Sequence, residues 1–300
     1  MTFRQKAVAG LTRRYPLVSG CATMANSTWV QRLSGASQAV VWARVPGGHV
    51  LASLNDYVGR AAFFAGDLDR KITWICRRIV RPGDTVLDIG ANIGMVTLLL
   101  SRLVGRTGHV HAFEPNPPTQ RALLRMIEHN RLENVVLHPV ALGAAESELE
   151  LRIPRGNAGG ASLVRSLHTT DFDCCVVPVH TLSNIATTSG IEQIRFIKID
   201  VEGFESEVFR GARDLLSRQV PDAILFELNL RTTSTLKEEP VIKLLAESGY
   251  RFMAIPKSLL KTRVRPFDIG TTNELPGHDV LAIAQGQRYD DICARVGAIV

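Results

Sequence analysis

Asp88, Glu114, Asp200 and Glu227 each follow directly on a short apolar run. If these runs are neighbouring parallel strands, the four acids stand at carboxyl ends, where open α/β sheets bind their ligands. One acid at such a tip is unremarkable, but four that converge in space point to an enzyme. A carboxylate there can accept hydrogen bonds from ribose hydroxyls, attract a cation, take up a proton or ligate a divalent ion. Lys198 and Asp200 share a strand face, because side chains alternate with period two. Lys198 also interrupts a strand that burial would make continuously apolar. Two readings stand for it, a structural ion pair with a nearby acid or part of a catalytic group with Asp200. In the second, Asp200 is a general base or substrate anchor, and Glu202 extends over the pocket. Glu202 could equally serve only the helix turn after Gly203. Asp200, Glu227 and Asn229 offer oxygen ligands to a divalent cation, a pattern of low specificity, and no metal is expected.

The first acid opens a glycine loop, Asp88-Ile89-Gly90-Ala91-Asn92-Ile93-Gly94, and the chain resumes in an apolar helix. Such a loop brings backbone close to a ligand at a helix N-terminus. It departs from the dinucleotide fingerprint, because Asn92 stands where the second glycine admits the pyrophosphate, and no Gly-Lys-Ser/Thr follows to make a P-loop. Asp88 would repel a pyrophosphate and favour a cationic group, such as the ammonium or sulfonium of S-adenosylmethionine (SAM). A glycine-rich turn without a ligand is the plainer alternative. Glu114, at the next tip, fits a ribose diol, and no basic residue follows it to accept a 2′-phosphate. It could also be only a neighbour of a helix N-cap ahead of Pro115.

Seven strands must position these residues, near 85–88, 109–113, 134–140, 195–199, 223–226, 250–255 and 279–284. Helix-length segments separate the first five, with one helix expected over 205–216. This predicts an α/β fold with a mostly parallel seven-stranded sheet and helices on both faces. Residues 147–180 break the alternation as a β insertion, with a glycine-rich piece at 156–162 expected to be mobile. The insertion is either a substrate lid or a decorated edge.

At 45% apolar and 21% charged, the 300 residues describe an ordinary globular protein, and no apolar run approaches the ~18 residues of a membrane span. Five cysteines without metal spacing read as reduced thiols, which predicts a cytoplasmic location. The net charge of +6 comes from residues 1–55, which hold Arg4, Lys6, Arg13, Arg14, Arg32 and Arg44 and no acid. The rest of the chain balances, so nucleic-acid binding gains no support. Residues 1–55 are expected to be a flexible or partner-docking leader, although a transit peptide also fits the composition. The main domain is set at 56–300.

LDIGANIG, AFEPNP, VALG, FIKIDVEGFE, the Gly211-Ala212 pair and ILFELN, in this order, resemble the FkbM-type methyltransferases from about Pro82 to Ile255. The resemblance implies a Rossmann-like class I methyltransferase with SAM as cofactor. It puts Asp88, Gly90, Ala91, Asn92 and Gly94 on the methionine part of SAM, Glu114 on its ribose, and Ala141 and Leu142 beside its adenine. Asp200 and Glu202 match the acidic pair of the fourth-strand motif, with Lys198 ahead of them as the third catalytic candidate. The implied reaction is O-methylation of a small hydroxylated acceptor, such as a sugar, glycolipid or polyketide. One departure is Ser183 after Thr181-Leu182, where the family usually has Asp. The rival is a SAM-binding module without catalysis that acts through partners; an NAD enzyme is opposed by Asn92 and Asp88.

Overall fold

The computed structural model describes residues 2–298 apart from 17, 165–170, 229–235, 259, 271, 273, 274 and 276. Three helices come first, α1 (Phe3–Thr12), α2 (Cys21–Ala25) and α3 (Thr28–Ser34), then a hairpin of β1 (Val40–Val45) and β2 (Gly48–Ser53). α4 (Tyr57–Arg60) runs into a π-helical turn at Ala61–Ala65 and is followed by α5 (Arg70–Ile79). The alternating part holds β3 (Thr85–Ile89), α6 (Met95–Val104), β4 (His109–Phe113), α7 (Pro117–His129) and β5 (Val135–His138). β6 (Ala141–Leu142) precedes the insertion, whose strands β7 (Ser147–Pro154) and β8 (Phe172–His180) form one sheet with β6. After it come α8 (Leu182–Thr188), β9 (Ile194–Ile199), α9 (Glu205–Gly211), α10 (Arg213–Ser217), β10 (Pro221–Glu227) and α11 (Pro240–Glu247). β11 (Tyr250–Ile255), β12 (Arg265–Phe267), β13 (Asp279–Ala284) and α12 (Gln287–Val296) complete the order. Among the described residues no helix is long and apolar enough to cross a membrane.

The main sheet runs β12-β11-β13-β10-β9-β3-β4-β5. The five strands from β5 to β10 are parallel, and β13 lies antiparallel to both β10 and β11. All seven expected strands are present, and three-residue β12 adds an eighth at the edge. Strand order reverses at β3, with β4 to one side and β9 to the other, so a crevice opens at their carboxyl ends. Their register sets Asp88 opposite Lys198 and Ile89 opposite Ile199.

Strand alternation distributes the core over both faces. Leu87, Ile89 and Ile199 pack with Phe209 and Leu245 from α9 and α11, while Val86, Val110 and Phe196 pack with Ile75, Leu100 and Ile292 from α5, α6 and α12. The helix expected over 205–216 is two helices, α9 and α10, parted at Ala212. A Cβ on Gly211 would lie 2.0 Å from the Gly143 carbonyl oxygen. α8 keeps its N-cap despite the Ser183 departure, since Thr181 Oγ1 accepts from the Asn184 N–H at 3.1 Å.

Residues 1–55 are not the arm that their composition suggests. Cys21, Val30, Val50, Ala52 and Leu54 are buried in one cluster with Leu98, Leu123 and Met126 of α6 and α7. Fully burying a side chain of leucine size contributes ~1.5–3 kcal/mol, so this layer is held by the main domain. The cationic composition misleads because cations are spent on backbone carbonyls. Arg13 donates to the oxygens of Phe63 (3.0 Å), Arg44 (2.9 Å) and Ala62 (3.1 Å). Asn130, at the end of α7, accepts from the His49 N–H (3.0 Å) and donates to the His49 oxygen (2.7 Å), which fastens the hairpin.

Candidate active site

A cavity lies over the tips of β3, β4 and β9. Gly90, Asn92, Asp200 and Val201 form one wall, and Phe113, Glu114, Val140, Ala141 and Leu142 form another. The insertion closes the top with Leu151, Ala158, Gly159, Ala161 and Leu163, and Phe204 completes the lining. The glycine-rich piece expected to be mobile is thus a roof held at both ends. The Ala158 N–H donates to Asp56 Oδ2 at 2.7 Å, while Asp56 Oδ1 caps α4 through the Val58 and Gly59 N–H groups. A Cβ on Gly159 would come within 3.1 Å of Asn92 Nδ2, so roof and loop touch.

Glu114 is 6% exposed, with Oε2 accepting from the Asn92 N–H at 2.8 Å and Oε1 from the Asn116 N–H at 2.9 Å. Each oxygen keeps a lone pair for a ligand hydroxyl. Burial pushes Glu114 up to about 7 despite these two donors and Lys198. Beside it, the side-chain oxygen and nitrogen of Asn116 are buried without a hydrogen-bond partner among the described residues. A buried amide left this way costs ~1–3 kcal/mol, which a bound ligand or water would recover.

Lys198 lies under the loop. Its Nζ donates to the Gly90 oxygen at 3.1 Å and pairs with Asp200 Oδ2 at 3.4 Å and Asp88 Oδ1 at 3.7 Å. Burial alone would lower its pKa, but Asp200 and Asp88 raise it above the usual lysine value. It therefore remains a cation that orients these groups. Asp200 leaves 40% of its side chain exposed and is held at its backbone by an N–H donated to the Ile89 oxygen at 3.0 Å. Glu202 sits at the rim in left-handed backbone (φ 53°), as does Asn92 (φ 52°) on the facing tip. Glu202 does not line the cavity. Its outer edge is solvated, yet partial burial and then Asp200, Glu227 and Glu205 push it up to about 7.

Of the residues assigned to the ligand from sequence, Gly90, Asn92, Glu114, Ala141, Leu142 and Asp200 line the cavity. Three others, Asp88, Ala91 and Gly94, do not line it. Asp88 is fully buried, with Oδ2 accepting from Thr97 Oγ1 at 2.5 Å, so it braces the loop from below. Gly94 faces α7, where a Cβ would meet Met126 at 2.3 Å and Leu123 at 2.5 Å. Ala91 is buried too, its N–H donated to the Phe113 oxygen at 2.9 Å. Lys198 does not line the cavity, its Nζ being held by the Gly90 oxygen, Asp200 and Asp88. Asn229 lies outside the described residues, among which no His/Cys/Asp/Glu group is arranged to hold a metal ion.

Sequence reasoning missed Phe204 and Asp56, and left the insertion open between a lid and a decorated edge. Phe204 sits inside a motif read only for its acids. Leu151 carried a signal, since it alternates with Glu150 and Arg152. Asp56 carried none, because its partner is 102 residues away.

A sheet with its order reversed at β3, a buried acid at the second tip and a roofed cavity between them define a Rossmann-like α/β domain with a crevice at its strand tips. The family profile described as the methyltransferase FkbM domain matches residues 88–252. The chain is 30% identical over 211 residues to the 31-O-demethyl-FK506 methyltransferase FkbM of Streptomyces tacrolimicus, covering 59% of this chain and 78% of that protein. It is 28% identical over 151 residues to Methyltransferase 1 of Beauveria bassiana, covering 44% of this chain and only 60% of that protein's length. A solved methyltransferase FkbM from Methylobacillus flagellatus is similar with a TM-score of 0.42 and 16% identity, over 67% of this chain and 43% of that one. The chain belongs to the FkbM methyltransferase family, and its domain is a SAM-dependent methyltransferase.

Proposed function

We propose that the chain methylates a hydroxyl oxygen of a small acceptor such as a sugar, glycolipid or polyketide. The observation that carries this reading is Asp200, a solvent-reachable carboxylate on the cavity wall, fixed by Lys198 at 3.4 Å and by its own backbone N–H. The relative from Streptomyces tacrolimicus is named for an O-methylation, which agrees with a base at this place.

The cavity fits SAM in its chemistry. Phe113, Val140, Leu142 and Leu163 offer an apolar slot for the purine, and Glu114 offers lone pairs for the ribose. Among the described residues, Asp200 with Glu202 and Glu227 outweighs the cation Lys198, which favours a positively charged ligand group. Gly90 and Asn92 would hold the methionine part, with Ala141 and Leu142 at the adenine. When bound, SAM supplies a methyl group on a sulfonium, open to displacement by an oxygen nucleophile. The chain's residues position and deprotonate. Asp200 accepts the acceptor hydroxyl's proton, Lys198 keeps that carboxylate aimed, and the roof excludes water. Alignment of this kind can supply ~7–11 kcal/mol.

Incubation with methyl-labelled SAM and a panel of alcohols, amines and thiols tests the proposal. Label recovered as an O-methyl product supports it. SAM binding without transfer to any acceptor would instead favour a partner-binding module, and label on nitrogen or carbon alone would remove the oxygen assignment.

Glu114 gives a pH-dependent expectation. Its pKa in the free protein is about 7, and the ribose needs the carboxylate, so SAM binding weakens as pH falls through 7. From pH 7 to pH 5.5 the Kd should rise about tenfold. Calorimetry should show this loss in the parent and in Glu202→Gln but not in Glu114→Gln. A parent Kd that stays flat over this range would detach Glu114 from the ribose.

A further inference from the structure

The first three helices carry a surface that the methyltransferase reaction does not use. Helical spacing gives α1 two faces. Gln5, Val8, Ala9 and Thr12 are buried against the hairpin layer, while Phe3, Ala7 and Leu11 form the opposite, exposed stripe. α3 packs beside it, with Arg4 Nη2 donating to the Arg32 oxygen at 2.8 Å, and turns Trp29 and Leu33 outwards. Phe3 is 87% exposed, Leu11 63%, Leu33 46% and Trp29 44%. Leu11 and Trp29 line the same groove, so the two stripes form one surface. Around it stand Lys6, Arg14 and Arg32, whose side chains have no ion-pair partner among the described residues. No acid precedes Asp56 in the sequence, and the Asp56 carboxylate is spent on α4 and the roof.

We propose that this face docks the protein on an anionic lipid bilayer. Large apolar side chains flanked by lysine and arginine are what an interfacial helix presents, with the apolar stripe at the acyl boundary and the cations at lipid phosphates. Two alternatives fit less well. A nucleic acid would satisfy the cations but leave Phe3, Leu11 and Trp29 in water. A second copy of the chain would bring like charges face to face without an acid to offset them.

The test is co-sedimentation of the full chain with vesicles of phosphatidylcholine alone or mixed with phosphatidylglycerol. Binding to the anionic vesicles should exceed binding to neutral ones and weaken with salt. Phe3→Ser with Leu11→Ser, or Lys6→Glu with Arg14→Glu, should each lower the partition coefficient about tenfold or more. These side chains are exposed, so thermal midpoint and SAM affinity should stay at parental values, which separates lost docking from lost folding. Equal binding to both vesicle types, or none to either, overturns the proposal. So does a dimer in sedimentation velocity that the Phe3/Leu11 pair abolishes, or nucleic-acid binding that needs Lys6 and Arg14 but not Phe3 and Leu11.

Discussion

Asp200→Asn is expected to lower kcat by ~10²–10⁴-fold, a barrier increase of about 2.7–5.5 kcal/mol, with SAM affinity nearly unchanged. The substitution is isosteric, and the site tolerates a neutral amide because 40% of the side chain is exposed. Lys198 keeps Asp88 at 3.7 Å and the Gly90 oxygen at 3.1 Å, so the loop should hold its shape. What is lost is the carboxylate at the wall that we propose as the proton acceptor. One neighbour could mask this loss. Asp200 is among the charges that hold Glu202 up near 7, so its removal lowers the Glu202 pKa and leaves that carboxylate ionised at lower pH. If Glu202 is the base, Asp200→Asn retains turnover while Glu202→Gln loses it. Single-turnover kinetics with an identified acceptor distinguishes the two, and near-parental turnover in Asp200→Asn takes the base role from Asp200.

The strand tips were legible because two periodicities coincide there. A short apolar run ending in an acid marks a buried parallel strand, and each such run became one, from Asp88 at β3 to Glu227 at β10. Legibility ends where a residue's neighbour is set by contact across the sheet. Asp88 was expected to meet a cationic ligand group and does meet a cation, but that cation is Lys198 of β9, delivered by the register. Gly94 was read as a ligand contact because loops of this type use glycine at the ligand, yet α7 claims the space. Residues 1–55 misled for a related reason. Composition counts charges without showing that Arg13 turns inwards to three carbonyl oxygens, and short apolar pieces look unable to form a core until Leu123 and Met126 are placed against them.

Gly90→Ala should be the most damaging small substitution at the site. Gly90 has φ 78°, and a Cβ there would lie 1.9 Å from the Asp200 carbonyl oxygen and 2.9 Å from its carbon. That obstacle is backbone at the end of a parallel strand, so it cannot rotate away as a side chain would. Relief requires the tips of β3 and β9 to part, which strains the Asp200 N–H bond to Ile89 and moves the Asp200 carboxylate. Left-handed strain costs ~1–2 kcal/mol and overpacking ~1–3 kcal/mol, which together predict a thermal midpoint lower by about 5–10 °C. Gly190→Ala separates the two terms. Gly190 has φ 66° but nothing within 4 Å of its Cβ position, so only the conformational cost applies and SAM binding should survive. In Gly90→Ala the SAM affinity should fall at least about tenfold, since a parted crevice widens the methionine wall. If Gly90→Ala melts and binds like Gly190→Ala, the close approach of β3 to β9 is not what requires glycine at this tip.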